Sequence, residues 1–391
     1  MDAEDQNLIK PDEFEIKDKR FFQIDFIKAM MIFLVIFDHT IPWAIKSDMG
    51  VILWERISIP VFLVIMGFNM GLSFQRNGET TLKKLYSWNY FKKKFWRYIY
   101  PFIILYIASS LIGFMLNGIE AFSQYEGHYA PEHLILGILP FWGPGNWFLP
   151  VIFISILIVP LLYKFFSGKW RILALMLCYL IELATYLYLY FGFYQDPFTS
   201  LSNYNAWLFN RVTIAIIPFS MLSAIGLGLW LSRNPNIFAK QNILIWILAP
   251  LSLIYLIAYG FYDYRISFMA GDYHLFIFPY SAFLVLLGIK LIPKRWNNWF
   301  TKAISTIGKS TYHILLTQIL YFSVVYSVYG DHYGASILGI NMSYDLTIYL
   351  YLIINWVICI PCGVFWYYID FKLRDYYLLH KKNKYREEEQ V

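Results

Sequence analysis

Apolar residues in this chain gather into long unbroken runs separated by short polar stretches. Ten such runs stand out, at 24–45, 51–74, 98–118, 147–163, 170–191, 212–231, 243–261, 274–291, 310–329 and 345–369. Each is close to the ~20 residues that a helix needs to cross a bilayer core. The pattern predicts an all-α fold, a polytopic transmembrane helix bundle of about ten spanning helices.

Composition agrees with that pattern. Of 391 residues, 59% are hydrophobic, 21% aromatic and only 15% charged, whereas a soluble domain averages roughly 45–50% apolar and about 25% charged. A disordered chain, a coiled coil and an ordinary cytosolic enzyme are excluded, and no room is left for a large soluble domain. The expected organisation is an N-terminal segment over 1–23, a transmembrane domain over 24–369 and a charged tail over 370–391. The first twenty residues mix both charge signs around no apolar core, so no cleaved signal peptide is expected. With so short a tail, no fused extracellular domain is expected either.

Charge orients the bundle. Of the 32 Lys and Arg residues, 27 lie in the N-terminus, 75–97, 164–171, 232–242, 290–309 and the tail. The alternate segments hold only Lys46, Arg211 and Arg265, while Lys28 and Arg56 lie within runs. Cytoplasmic loops carry the positive excess, so an even number of spans with both termini cytoplasmic is expected, in a multi-pass protein of the plasma or inner membrane. The two longest external segments, 119–146 and 192–211, are rich in Tyr, Trp, Pro, Gly and Asn. They read as an interfacial aromatic belt or as a platform for a polar acceptor such as a sugar. The basic run Lys92, Lys93 and Lys94 with Arg97 fits the topology rule and also attraction to anionic lipid.

Several patterns carry little chemistry. Cys178, Cys359 and Cys362 fall inside apolar runs, which gives no disulfide framework, and the CIPC of the last two reads as structural. His128 and His133, with Glu126 and Glu132, lack the ligand pattern of a zinc site, so no metal is expected. Gly67 and Gly71 form a GxxxG that suits close helix packing. The basic tail 381–386 is expected at the lipid surface, and nucleic acid is not an expected partner.

The first run is different. A charged residue at the centre of a span costs roughly 2.5–3.5 kcal/mol on insertion scales, yet this one holds Asp25, Lys28, Asp38 and His39. At 100° per residue the eleven steps from Lys28 to His39 make three turns plus ~20° and rise ~16 Å, so both face the same way. Asp25 lies three residues before Lys28 on that stripe, within ion-pair reach. Asp38 is ~100° away and is expected to point elsewhere. Snorkelling to the headgroups would account for Asp25 and Lys28, and packing for a lone His39; the stripe as a whole points to catalysis.

The segment IDFIKAMMIFLVIFDH, with its acidic residue, basic residue, ten further residues and His, resembles the opening of acyltransferase family 3 membrane proteins. In the same order, SIPVFLVIMGF (58–68), FKKKFWRYIYP (91–101), GPGNWFLPVIF (143–153) and IGKSTYHILLTQ (307–318) are similar to later motifs of that family. Three positions depart from it: Lys28 where Arg is commoner, which gives up a bidentate grip on phosphate, Met66 where Ser often precedes Gly-Phe, and Gln318 where many members carry a second His. The last departure bears on any mechanism that needs two histidines.

The resemblance implies an integral membrane O-acyltransferase that moves an acetyl or other short acyl group from cytoplasmic acyl-CoA to a hydroxyl, often on a glycan. No permanently bound cofactor is implied, since acyl-CoA, such as acetyl-CoA, is a substrate. Asp25, Lys28 and His39 fall at the catalytic positions, His39 either as general base on the acceptor hydroxyl or to orient the thioester, Lys94 and Arg97 at the phosphate-binding ones, and Asn146 and Trp147 at the outer start of the fourth helix, on the acceptor side. The rival is a transporter or flippase of polar or lipid-linked glycans, with Glu182 as a proton carrier within its span. No matched pair of broken helices supports it. A scaffold protein would explain the topology but not the stripe.

Overall fold

Each of the ten apolar runs carries a helix in the computed structural model, which describes residues 21–42, 45–46, 49–78, 81–118, 144–193, 216–262, 264, 266, 273–293, 298–329 and 347–388. No strand occurs among them. The helices are α1 (Phe22–Thr40), α2 (Ser58–Arg76), the short α3 (Trp88–Lys94), α4 (Tyr100–Asn117), α5 (Phe148–Ser167), α6 (Arg171–Phe193), α7 (Leu222–Arg233), α8 (Ile243–Tyr262), α9 (Phe278–Leu291), α10 (Trp299–Tyr329) and α11 (Thr347–Glu388). Six described segments are long and apolar enough to cross a membrane. Helix α1 is not one of the six, because it carries three charged residues, Asp25, Lys28 and Asp38. His128, His133 and most of the two external segments lie outside the described residues.

Helix bounds differ from the apolar runs in instructive places. Helix α10 starts at Trp299, eleven residues before its run, and so brings Lys309 into helix. Helix α11 continues unbroken from the last run through the charged tail to Glu388. Hydrophobicity marks the part of a helix that meets lipid, whereas backbone hydrogen bonding continues into water wherever no Pro or Gly stops it. Helix α3 passes into α4 through a π-turn over Phe95–Ile99, a local widening that turns often adopt near functional sites.

Helix α1 is central. It packs against α2, α9, α10 and α11, and its buried residues, from Gln23 through Lys28, Ile32 and Val35 to Thr40, lie all around its circumference. A helix packed against four others places its polar residues against protein rather than lipid. The chain brings α1 and α10 into backbone contact at Gly308, where a side chain would run into the main chain of Asp25. The expected packing role of Gly67 and Gly71 is met on α2: a Cβ on Gly67 would strike the Ile225 carbonyl of α7, and one on Gly71 would strike Ser232. Polar links fasten the far side, with Asn355 Nδ2 donating to Thr40 Oγ1 at 3.0 Å and Trp356 Nε1 to the Phe33 carbonyl at 3.1 Å. Large apolar side chains on the outer faces of α4, α6, α8 and α11, such as Met115, Ile172, Ile254 and Val357, are exposed. They form the surface expected to meet lipid.

Candidate active site

At one end of α1 the Lys28 ammonium pairs with the Asp25 carboxylate at 2.9 Å and donates to the Gly308 carbonyl at 2.6 Å. Ser305 donates to the other carboxylate oxygen of Asp25 at 3.4 Å. Both residues are buried, so snorkelling to the headgroups does not describe them. They join α1 to α10.

The Lys28 side chain also lies on the wall of a cavity of about 180 Å³. Basic and polar groups from separate helices converge there: Lys94 and Arg97 from α3 and the π-turn, Lys309 and His313 from α10, and Asn69 from α2. Lys94 and Arg97 are three residues apart in a helical stretch and therefore share a face. Both lie over the Tyr98 ring, at 5.6 and 5.3 Å from its centre, an arrangement that holds a cation by its attraction to the aromatic face. The Tyr312 hydroxyl donates to the Tyr98 carbonyl at 2.8 Å and thereby ties the π-turn to α10.

His39 stands at the other end of α1, on the wall of a second cavity of about 240 Å³ with Asp38, Arg56, Ser58, Gly145, Trp147 and Tyr273. The two cavities share Val35, Ile59, Phe148 and Leu315 as wall residues, so they abut along α1. His39 Nδ1 and Gln318 Oε1 are 2.7 Å apart, and the Gln318 amide nitrogen donates to the Pro144 carbonyl at 3.4 Å. The Phe322 ring meets the imidazole edge-on at 5.8 Å. Gly145 has φ +87°, and a side chain there would meet Gln318 Nε2 at 3.1 Å and His39 Cε1 at 3.6 Å. Glycine is thus required twice over, by its backbone conformation and by the space.

Asp38 does not point away from the site. Its carboxylate lies 3.9 Å from His39 Nε2, bonded to the Lys46 ammonium and 3.6 Å from Arg56 Nη1. Arg56 in turn lies 3.5 Å from the Glu55 carboxylate and hydrogen-bonds Tyr273. The ~100° offset on the helical wheel separates Asp38 from His39 around α1, but at the helix end both sides border the same space. Trp147 is on the cavity wall, stacked on Tyr273 at 5.6 Å and 25°. Asn146, buried beside it, is not among the wall residues.

Sequence reasoning brought Asp25, Lys28, His39, Lys94, Arg97 and Trp147 to this region, and the structure places the last five on the walls of the two abutting cavities, with Asp25 behind Lys28 as its ion-pair partner. It passed over Lys46, Arg56, Tyr273, Lys309 and His313. His313 Nε2 lies 2.9 Å from the Asp370 carboxylate on α11, which ties the first residue of the charged tail back onto the bundle. A histidine inside an apolar run was the signal available for it. Arg56, a charge within the second run beside Glu55, was the signal for the cluster around Asp38.

Glu182 lies on neither cavity wall. Its carboxylate accepts from the main-chain N–H of Ser223 at 2.9 Å, among the first backbone donors of α7, which follows directly on a 3₁₀ turn over Ile217–Met221. A carboxylate there is stabilised by those donors and by the helix dipole, so Glu182 caps α7 from α6. Cys178, Cys359 and Cys362 are unpaired thiols, and among the described residues no His, Cys, Asp and Glu group suits a metal ion.

Comparison with known proteins adds one finding. The model of the acyltransferase 3 family, described as an acyltransferase domain, matches residues 21–369, a span that takes in every residue of both cavities. No curated protein and no solved structure matches the chain.

Proposed function

The chain belongs to this acyltransferase family, and from that premise we propose that it is an O-acyltransferase that uses acyl-CoA as donor and the hydroxyl of a glycan as acceptor. The observation that carries the reading is the wall shared by the two cavities. Val35, Ile59, Phe148 and Leu315 connect the space beside Lys94 and Arg97 with the space beside His39.

In this reading the phosphates of an acyl-CoA lie against Lys94, Arg97 and Lys309, and its pantetheine arm runs along α1 toward His39, a distance of ~16 Å by helical rise. Lys28, neutralised by Asp25, holds α1 to α10 rather than supplying a net charge. The acceptor enters beside Trp147 and Tyr273, whose stacked rings offer an apolar face to a sugar. His39 takes the proton of the acceptor hydroxyl as its oxygen attacks the thioester carbonyl; the tetrahedral intermediate collapses by breaking the carbon–sulfur bond, and the imidazolium returns the proton to the departing thiolate. Arg56 contributes positive charge on the same wall as the oxyanion forms. The charge alternation puts Lys94 and Arg97 on the cytoplasmic side, where acyl-CoA is found, in a plasma or inner membrane of ten spans.

Purified protein in detergent or vesicles is expected to transfer label from acetyl-CoA, or from another short acyl-CoA, to a polyprenyl-linked glycan, and His39→Gln is expected to lose ~10²–10⁴-fold in turnover. Near-parental turnover of His39→Gln would refute the general base. Glycan movement without acyl-CoA consumption would point to the flippase instead, although its one motivating residue, Glu182, is occupied in capping α7.

A further inference from the structure

We propose that Gln318 is a positioning residue that fixes the tautomer of His39, keeping the ring proton on Nδ1 and the basic lone pair on Nε2. The inference rests on the acyltransferase reading of His39 and assigns a role to a side chain that stands where many members of the family carry a second histidine.

A neutral imidazole has one N–H and one lone pair, and its neighbours decide which nitrogen carries which. Two neighbours compete here. The Asp38 carboxylate faces Nε2 and attracts a proton to that nitrogen, which would remove the lone pair from the side that borders Asp38 and the cavity. Gln318 faces Nδ1. Its orientation follows from the Pro144 carbonyl, which is an obligate acceptor: the amide nitrogen must be the atom that donates to it, so Oε1 is the atom turned toward Nδ1. An oxygen in that place accepts only from a protonated Nδ1.

Distance settles the competition. Gln318 Oε1 is 2.7 Å from Nδ1, a full hydrogen bond, whereas Asp38 Oδ2 is 3.9 Å from Nε2, beyond hydrogen-bond range. The Asp38 carboxylate is moreover held by Lys46 and Arg56, which restrains it from closing on the ring. Gly145 supplies the remaining condition, since a side chain there would crowd the Gln318 amide nitrogen at 3.1 Å, while only touching His39 Cε1. A general base needs its lone pair on the substrate side before the reaction begins. Here a neutral amide supplies that alignment, and a second histidine is not needed for it.

The test separates this role from packing and from the acyltransferase reading. Gln318→Met keeps the length of the side chain and removes the acceptor, whereas Gln318→Glu keeps an acceptor oxygen. Imidazole nitrogen NMR on protein labelled at its seven histidines, with His39→Ala used to assign the signal, is expected to show Nδ1–H in the parent and Nε2–H in Gln318→Met. In acyl transfer, Gln318→Met is expected to lower kcat by ~10–100-fold, as loss of an orienting partner does, with KM for both substrates unchanged, and Gln318→Glu to recover most of that loss. An Nε2–H signal in the parent would overturn the proposal, as would parental kcat in Gln318→Met or an equal loss in Gln318→Glu. Should the parent transfer no acyl group, the acyltransferase reading fails by itself, and the tautomer measured in the parent still decides the role of Gln318.

Discussion

Lys28 on α1 donates to the main-chain carbonyl of Gly308 on α10 at 2.6 Å, across 280 residues of sequence. Together with the Asp25 pair, this bond makes the charged end of α1 a joint between two helices. Removing one member of a buried ion pair leaves the other uncompensated, at a cost of ~3–5 kcal/mol. Lys28→Met and Asp25→Asn are therefore each expected to lower the stability of the protein in detergent, and the double variant to regain part of the loss. Unfolding of all three against the parent checks this, and additive losses would show that the two residues are not coupled.

Gly145→Ala is expected to lower turnover about tenfold through its pressure on the Gln318 amide, a modest share of what a general base contributes. The matching control is Gly118, which has φ +61° and nothing within 4 Å of where a Cβ would stand. Gly118→Ala also forces an L side chain to a positive φ, at a cost of ~1–3 kcal/mol, without touching the site. Parental activity in Gly118→Ala with reduced activity in Gly145→Ala would separate contact from strain; equal losses would assign the effect to folding.

Lys94→Ala and Arg97→Ala are each expected to raise the KM for acyl-CoA with little change in kcat. The penalty should shrink as salt is raised, because screening already weakens the lost attraction in the parent. Titration of acyl-CoA at two ionic strengths measures it. Unchanged affinity in both variants would leave these cations to topology and lipid alone.

If Glu182 caps α7, Glu182→Ala should cost ~1–2 kcal/mol of stability, the usual range for a lost helix cap, while Glu182→Gln keeps an acceptor oxygen and should retain most of it together with full acyl transfer. A proton carrier would behave in the opposite way. Loss of activity in a stable Glu182→Gln protein would return the residue to a functional role.

The charge alternation yields a topological expectation. A single cysteine introduced at Ser87 should resist a membrane-impermeant thiol reagent in sealed cells, and one at Ser123 should react. Labelling at Ser87 would reverse the orientation and take Lys94 and Arg97 away from a cytoplasmic donor.

The helices and the polar stripe were legible in the sequence because both are local. Apolar runs of about twenty residues dictate a helix in lipid, and the 100° step puts Asp25, Lys28 and His39 on one side of it whatever the rest of the chain does. Helix ends were less legible, since α10 and α11 continue past their apolar runs for reasons of backbone hydrogen bonding that hydrophobicity does not record. What surrounds the stripe was decided only by tertiary structure. Gln318 reaches His39 across 279 residues, Asp38 borders the same cavity as its neighbour because the end of a buried helix is open on more than one side, and Glu182 meets the Ser223 main chain at the start of α7. Each of these depends on which helix packs against which, and that is set by close backbone contacts at Gly67, Gly228 and Gly308. Sequence periodicity fixes the direction in which a side chain leaves its helix; only the packing of another helix determines what it meets there.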